Sequence, residues 1–354
     1  MTHLWVRAES RANEDRVGIT PEGVAALIAR GMTVTVEDSP RRVLPTDAYV
    51  RAGATIVPEG SWPTAPDDAI IFGLKELPED GTPLRHRHVM FGHAYKGQPA
   101  GQALLRRFLA GGGRLYDLEY LTDDTGRRLA AFGYWAGYAG AAVSLKAWAA
   151  QQRGGLCGPV HAYPDKTLLQ DELRAQLDAT GQPRPHALVI GAMGRVGTGA
   201  ADLLVAMGVP VTRWDMAETA HGGPFPEVLA HDLFINAILA QPGAPVFVPA
   251  SAVAPGRRLT VIGDVACDPS SDFSPIKVYD RTTTWDQPAL RVADNPPLDV
   301  VAIDNLPSML PRESSEDYAG QLLPVLSDLD RIDDGAWGRA GGLFDKHAKG
   351  LTQT

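Results

Sequence analysis

Two titratable side chains in the first third of the chain follow short apolar runs. Lys75 comes after Ile70-Ile71-Phe72, and His93 comes after His88-Val89-Met90-Phe91. If these runs are parallel strands, the loops after them open at the carboxyl edge of a sheet, where open α/β folds bind ligands. An imidazole titrates near neutrality unaided. A lysine ammonium, ordinarily near about 10.4, does so only when burial or a neighbouring cation lowers it. Both residues are therefore candidates for general acid–base work. The ordinary alternatives are a solvated surface lysine and a satisfied core histidine.

A second constellation lies mid-chain. Ala187-Leu188-Val189-Ile190 runs directly into Gly191-Ala192-Met193-Gly194-Arg195-Val196-Gly197, a GxxGxxG spacing rather than GxGxxG. Glycines allow positive φ and close approach of backbone to a pyrophosphate, and the helix expected from Gly197 to Met207 offers unpaired N–H groups and a positive dipole end. Another strand, 209–214, ends at Asp215, whose carboxylate can accept both ribose hydroxyls of NAD and repels a 2′-phosphate. Strand, loop, helix, strand and acid fall in order, so Gly191, Gly194, Arg195, Val196, Gly197 and Asp215 are expected to bind NAD. Arg195 is expected on phosphate or solvent rather than substrate. Arg213, two residues before Asp215, is the feature that favours NADP. His86 and His88 read as a polar strand entry, and His221 as the edge of an adenosine site.

These residues need a scaffold of alternating strands and helices. Strands are expected at 3–9, 32–37, 70–72, 88–91 and 114–118. A helix capped by Thr20 with Pro21 at its first position is closed by Gly31. Helical segments are expected between 97 and 111, at 132–152 and at 164–179. The helix at 132–152 is rich in small residues, as suits a connector packed between two domains. Further strands are expected at 259–264 and 297–304, then a helix at 314–329 with Leu322, Leu323 and Leu326 on one face, and a short helix in the Gly-rich tail. Strands alternating with helices imply parallel pairing and an α/β architecture.

Several motifs carry a resemblance. RVGITPEGVAALIARGMTVTVED (16–38), with Lys75 and His93 downstream, resembles the alanine dehydrogenase and transhydrogenase group. FGLKELP (72–78), FGHAYKGQ (91–98), LYDLEYL (115–121), GRRLAAFGYWAGYAG (126–140), WDMAETAHGGPF (214–225) and AIDNLPSMLPRESSE (302–316) look like the NAD-dependent, lysine-forming saccharopine dehydrogenases, in order over nearly the whole chain. The GAMG loop and a trimmed N-terminal domain depart from that pattern at no catalytic position.

The resemblance implies two Rossmann-like, doubly wound α/β domains flanking a cleft. Residues 1–128 with 312–354 would form the substrate and catalytic domain, and 129–311 the NAD-binding domain. The implied reaction is reversible oxidative deamination of saccharopine to lysine and 2-oxoglutarate, with NAD as hydride acceptor. A secondary amine must lose its proton, hydride must leave, water must add to the imine, and the carbinolamine must collapse. The resemblance assigns the proton transfers to Lys75 and His93, with His93 on the hydration and carbinolamine steps and Lys75 on the amine proton, or the reverse. Glu76 and Glu119 match glutamates that tune the two bases. Arg16 and Arg128 match dicarboxylate-binding arginines, Arg128 being chosen over Arg127 by its neighbours, and Lys96 adds a cation. Asp304 matches an acid at the domain junction, holding the lysine-side ammonium or the nicotinamide ribose region. Its plain alternative is a helix cap. Competing readings are a related opine-type or alanine-type dehydrogenase and a non-catalytic NAD-binding regulator. Retention of both Lys75 and His93 argues against the regulator.

Composition narrows the field. The chain has 354 residues, enough for about two domains, with 33 Lys and Arg against 42 Asp and Glu and a net charge of −9. An acidic chain without a basic block is poorly suited to nucleic acid or an anionic membrane surface. Two cysteines, Cys157 and Cys267, make no disulfide framework and read as packed thiols, with one mutual bridge as the alternative. No cluster has metal-ligand spacing, so no metal is expected. Residues 129–145 are uncharged but fall short of a membrane span. The N-terminus lacks the apolar core of a signal peptide, and a cytoplasmic location is expected.

Overall fold

The apolar runs of the first third form parallel strands. The computed structural model describes residues 1–352. The chain forms two units, Met1–Ala131 with Pro311 onward, and Phe132–Leu310. The first unit begins with β1 (His3–Val6), α1 (Pro21–Ala29), β2 (Thr33–Glu37), α2 (Thr46–Arg51), β3 (Thr55–Val57), β4 (Ile70–Phe72), β5 (Arg87–Met90), α3 (Pro99–Gly111) and β6 (Arg114–Asp117). Thr20 caps α1 by accepting from the Gly23 N–H, with Pro21 in the first turn. The strand order is β3-β2-β1-β4-β5-β6, parallel throughout. The order reverses between β1 and β4, so the loops after these strands border the crevice where a doubly wound sheet takes its ligand. The MTVTVE run alternates like a half-exposed strand, yet Val34 through Glu37 are all buried, because both faces of a parallel sheet are covered.

The second unit contains α4 (Gly133–Gln152), α5 (Lys166–Asp178), β7 (Ala187–Ile190), α6 (Arg195–Ala206), β8 (Val211–Trp214), α7 (Met216–Thr219), α8 (Pro226–Ala230), β9 (Leu233–Asn236), β10 (Val261–Asp264), β11 (Leu290–Asp294) and β12 (Pro297–Val301). Its order is β11-β12-β10-β9-β7-β8, with β11 antiparallel to β12. The reversal lies between β7 and β9, beside the glycine loop. The small residues of α4 serve packing within this unit. A Cβ at Gly137 would lie 1.8 Å from the Val196 carbonyl oxygen of α6, and one at Gly199 would lie 1.9 Å from the Tyr134 carbonyl oxygen of α4. Two helices can approach this closely only where side chains are missing.

The C-terminal helices α9 (Pro311–Leu326) and α10 (Gly335–Thr352) return to the first unit. The Val17 N–H donates to Ser315 Oγ of α9 at 2.9 Å. The tail, expected to hold a short helix, forms one of 18 residues. Its glycines dilute an apolar stripe of Trp337, Ala340, Phe344 and Ala348, all buried, at the three- and four-residue spacing of one helix face. Among the described residues no helix is long and apolar enough to cross a membrane, and no group of three or more His, Cys, Asp or Glu is placed to hold a metal ion. Cys157 and Cys267 are both free thiols.

His88 on β5 is fully buried rather than part of a polar strand entry. The rings of Trp62 and Phe108 meet it edge-on at 5.2 and 5.4 Å, and neither of its nitrogens has a hydrogen-bond partner. Burial, with Arg7 adding to it, holds its pKa well below the ordinary 6.5. The unfolded chain takes up a proton near that pH which the fold refuses, so stability present above 6.5 is lost as pH falls toward the folded-state pKa. His88→Leu should remove that loss. The urea-midpoint difference between variant and wild type should shift in the variant's favour from about pH 7 to about pH 5. An unchanged difference would contradict this account of His88.

Candidate functional site

Lys75 follows β4 and is half-buried. Burial lowers its pKa, and the Arg16 guanidinium lowers it further, while Glu14 opposes. Among the described residues its Nζ makes no hydrogen bond or ion pair. Its backbone is held by β1: the Leu74 and Lys75 N–H groups donate to the Glu9 carboxylate at 2.6 and 3.0 Å, and Arg7 donates to the Lys75 carbonyl. Arg16 is buried, and its Nε and Nη2 donate to the two Glu14 carboxylate oxygens at 2.7 and 2.6 Å. Burial works to raise the Glu14 pKa, but the bonds and charge of Arg16 outweigh it and hold the carboxyl low. Arg16 therefore stands with its fork engaged by Glu14. Glu76 is exposed, 3.6 Å from Arg11.

His93 follows β5 in a left-handed conformation, φ +48°, a strained position for a non-glycine residue. Its Nδ1 lies 3.4 Å from Glu119 Oε2. Lys96 Nζ donates to Glu119 Oε1 at 3.0 Å, and Arg128 Nη2 lies 3.6 Å from the same oxygen. A hairpin after β6, closed by bonds from Asp123 N to Arg127 O and from Leu129 N to Leu121 O, turns the chain so that Arg128, rather than Arg127, reaches Glu119. Glu119 is thus faced by two cations and an imidazole, and the contact with His93, followed by that with Lys96, brings its pKa down to about 2. In return the Glu119 contact raises His93 against the effect of burial. Burial lowers the Lys96 ammonium, but Glu119 more than reverses that.

Asp117, at the end of β6, escaped the sequence analysis. It is fully buried; its Oδ1 accepts the Glu119 N–H at 2.9 Å, while its Oδ2 has no hydrogen-bond partner. Burial pushes its pKa up to about 6. The signal available was its place in LYDLEYL, two residues before Glu119 at a strand end.

In the second unit Gly191 ends β7 with φ +84°, and a Cβ there would lie 2.7 Å from Ile238 Cγ2. A Cβ on Gly197 would lie 2.1 Å from the Gly191 carbonyl oxygen. Gly194 is different: its Cβ would meet nothing closer than 3.4 Å. It is the N-cap of α6, where no side chain caps the helix. Packing thus requires glycine at 191 and 197, and leaves an exposed turn with an uncapped helix start at 194. These residues fit a pyrophosphate. Asp215 follows β8; its Oδ2 accepts the Met193 N–H and its Oδ1 the Met216 N–H, each at 2.9 Å. The acid ties the glycine turn to the second strand. Arg213 is exposed, and His221 packs its ring 4.8 Å from that of Phe225.

The matching corner of the first unit is filled. Glu37, at the end of β2, accepts Trp5 Nε1 at 3.2 Å and the N–H groups of Ala8, Gly60 and Trp62 at 2.9, 2.9 and 2.6 Å. No glycine turn follows β1. Asp304 is exposed just beyond β12; the residue at the N-cap of the following turn is Asn305. A buried network also missed in sequence joins Asp264, at the end of β10, to Asn236 Nδ2 at 2.9 Å and to the Tyr279 hydroxyl at 2.7 Å.

The family model for the alanine dehydrogenase/PNT N-terminal domain matches residues 5–139. A saccharopine dehydrogenase (NAD+, L-lysine-forming) of Candida glabrata is 45% identical over 98% of this chain and 96% of its own. That of Yarrowia lipolytica is 46% identical over 97% of each. The chain belongs to the lysine-forming saccharopine dehydrogenase family. Among solved structures, an L-alanine dehydrogenase superposes with a TM-score of 0.67 at 21% identity, covering 93% of this chain and 90% of that one. The two parallel-dominated sheets of this saccharopine dehydrogenase family member thus share the Rossmann-like α/β fold of that enzyme.

Because Glu119 raises the His93 pKa, Glu119→Gln should move the His93 imidazole titration, followed by NMR, to lower pH. An unmoved midpoint would show that the two side chains are uncoupled.

Proposed function

We propose that the chain catalyses the reversible, NAD-dependent conversion of saccharopine to L-lysine and 2-oxoglutarate. It is an NAD-dependent oxidoreductase of the saccharopine dehydrogenase type. The observation that carries the mechanistic reading is the placement of Lys75 and His93 just past two adjacent strands, β4 and β5, one with its pKa lowered and the other raised. Two groups whose environments move them toward neutrality from opposite sides suit an acid–base pair. We assign Lys75 to removal of the amine proton, and His93 to the proton transfers of hydration and carbinolamine collapse. Glu119 holds the charge of His93, and Glu76 and Arg11 add an outer pair.

The substrate's carboxylates require cations. Arg128 and Lys96, both partly exposed and gathered on Glu119, are assigned to 2-oxoglutarate, since a guanidinium grips a carboxylate through two bonds. Arg16 joins them only if Glu14 releases its fork; as it stands, its charge acts on Lys75. We assign the cofactor to the second unit: Gly191, Gly194, Arg195, Val196 and Gly197 to the pyrophosphate, and Asp215 to the adenosine ribose. Bound there, NAD supplies the hydride acceptor. Asp304, exposed beyond β12 in the same unit, is assigned to the nicotinamide ribose.

NADH oxidation should proceed with L-lysine plus 2-oxoglutarate and not with ammonia plus pyruvate; activity with the second pair alone would overturn the assignment. Arg128→Ala should raise the KM for 2-oxoglutarate by about 10- to 100-fold, the loss of a charge-assisted bond, while NADH binding stays as in wild type. An unchanged KM would remove Arg128 from the substrate site.

A further inference from the structure

We propose that Arg7 and Glu9 form a clamp whose role is to position Lys75 for proton transfer. The proposal rests on the reading of Lys75 as a base. Both residues lie just past β1 and are almost fully buried, at 3% and 8% exposure. Arg7 Nη1 donates to Glu9 Oε2 at 3.3 Å, forming an ion pair inside the fold. Such a pair is weak support for stability, because desolvation offsets most of its attraction and an apolar pair often serves as well. The sheet does not depend on it: β1 and β4 pair along Leu4–Val6 and Ile70–Phe72, and the Arg7 N–H continues that ladder to the Phe72 carbonyl at 2.9 Å.

What the ion pair does hold is the loop after β4. Glu9 Oε1 accepts the Leu74 N–H at 2.6 Å, and Oε2 accepts the Lys75 N–H at 3.0 Å. Arg7 Nη2 donates to the Lys75 carbonyl. The N–H and C=O of Lys75 are therefore both fixed by side chains from the neighbouring strand, across the point where the strand order reverses. The Lys75 Nζ, by contrast, makes no hydrogen bond among the described residues. A base with an unrestrained tip needs a fixed root, because a misplacement of about 1 Å can cost about 10²-fold in rate. Among the described residues the hydrogen bonds of the Glu9 and Arg7 side chains go only to backbone and to each other, so they are positioning residues.

The test compares Glu9→Gln and Arg7→Lys in wild-type and Lys75→Met backgrounds. Glutamine keeps the shape of Glu9 but offers an amide NH2 to one of the two N–H donors. Lysine keeps the charge of Arg7 but lacks the fork that spans Glu9 and the Lys75 carbonyl. Each variant should lower kcat by about 10- to 100-fold and distort the kcat limb that Lys75→Met abolishes. The KM for NADH should stay near wild type, while the melting temperature should fall by the same amount in both backgrounds, most for Glu9→Gln, which leaves Arg7 as an unpaired buried charge. In the Lys75→Met background neither variant should lower kcat further. Equal losses in both backgrounds, or wild-type kcat in the presence of Lys75, would overturn the clamp while leaving Lys75 as the base. Wild-type kcat in Lys75→Met itself would overturn the reading of Lys75 and the clamp with it. Should Glu9→Gln fail to fold, Arg7→Lys carries the same comparison.

Discussion

A carboxylate withdrawn from water must be met by donors or surrender its charge, and this requirement shapes the carboxyl edge of both sheets. Glu37 is fully met, by three backbone N–H groups and an indole. Glu9 is met by two N–H groups and a guanidinium. Asp117 has one donor on Oδ1 and none on Oδ2, and its pKa rises to about 6. The backbone N–H bonds to Glu9 and Glu37 tie strand ends to the loops of neighbouring strands, and that to Asp117 ties the end of β6 to the turn bearing Glu119. The loops bearing Lys75 and Glu119 are therefore held by buried charge rather than by packing alone.

The two units use the same topology in different ways. Around its reversal point the first unit packs Arg7, Glu9, Glu14, Arg16 and Glu37 into a lattice of buried charges. That lattice leaves no glycine turn at β1, and it occupies the acid that ends β2. The second unit places glycines at the same topological point, with an uncapped helix start beyond them. Proton chemistry requires fixed charges near titratable groups, whereas a dinucleotide requires close approach of bare backbone. This difference supports assigning the substrate chemistry to one unit and NAD to the other.

Much of this arrangement was legible in the sequence. The strands before Lys75, His93 and the glycine loop announced themselves as apolar runs, and Thr20-Pro21 announced a helix start. The Lys96–Glu119–Arg128 cluster was reached only through resemblance, since spacing along the chain does not disclose a hairpin that turns Arg128 onto Glu119. Glu9, Glu37 and Asp117 were missed for a common reason. A single acid at the end of a strand looks like any solvated charge until the partners from other strands are known. The edge strand β11 is only partly buried and carries no clear alternation. The last helix was underestimated because glycines interrupt its stripe. Asp215 was legible as the acid that ends the strand after the glycine loop, but not as the side chain that anchors the glycine turn.

The proposed pairing of Lys75 with His93 is tested most directly by the pH dependence of kcat, measured for wild type, Lys75→Met and His93→Gln at saturating substrates. Two groups sharing the proton transfers give a profile with two limbs, and each substitution should abolish a different one, with kcat lowered by roughly 10²–10⁴. A profile that keeps both limbs in either variant would contradict the account.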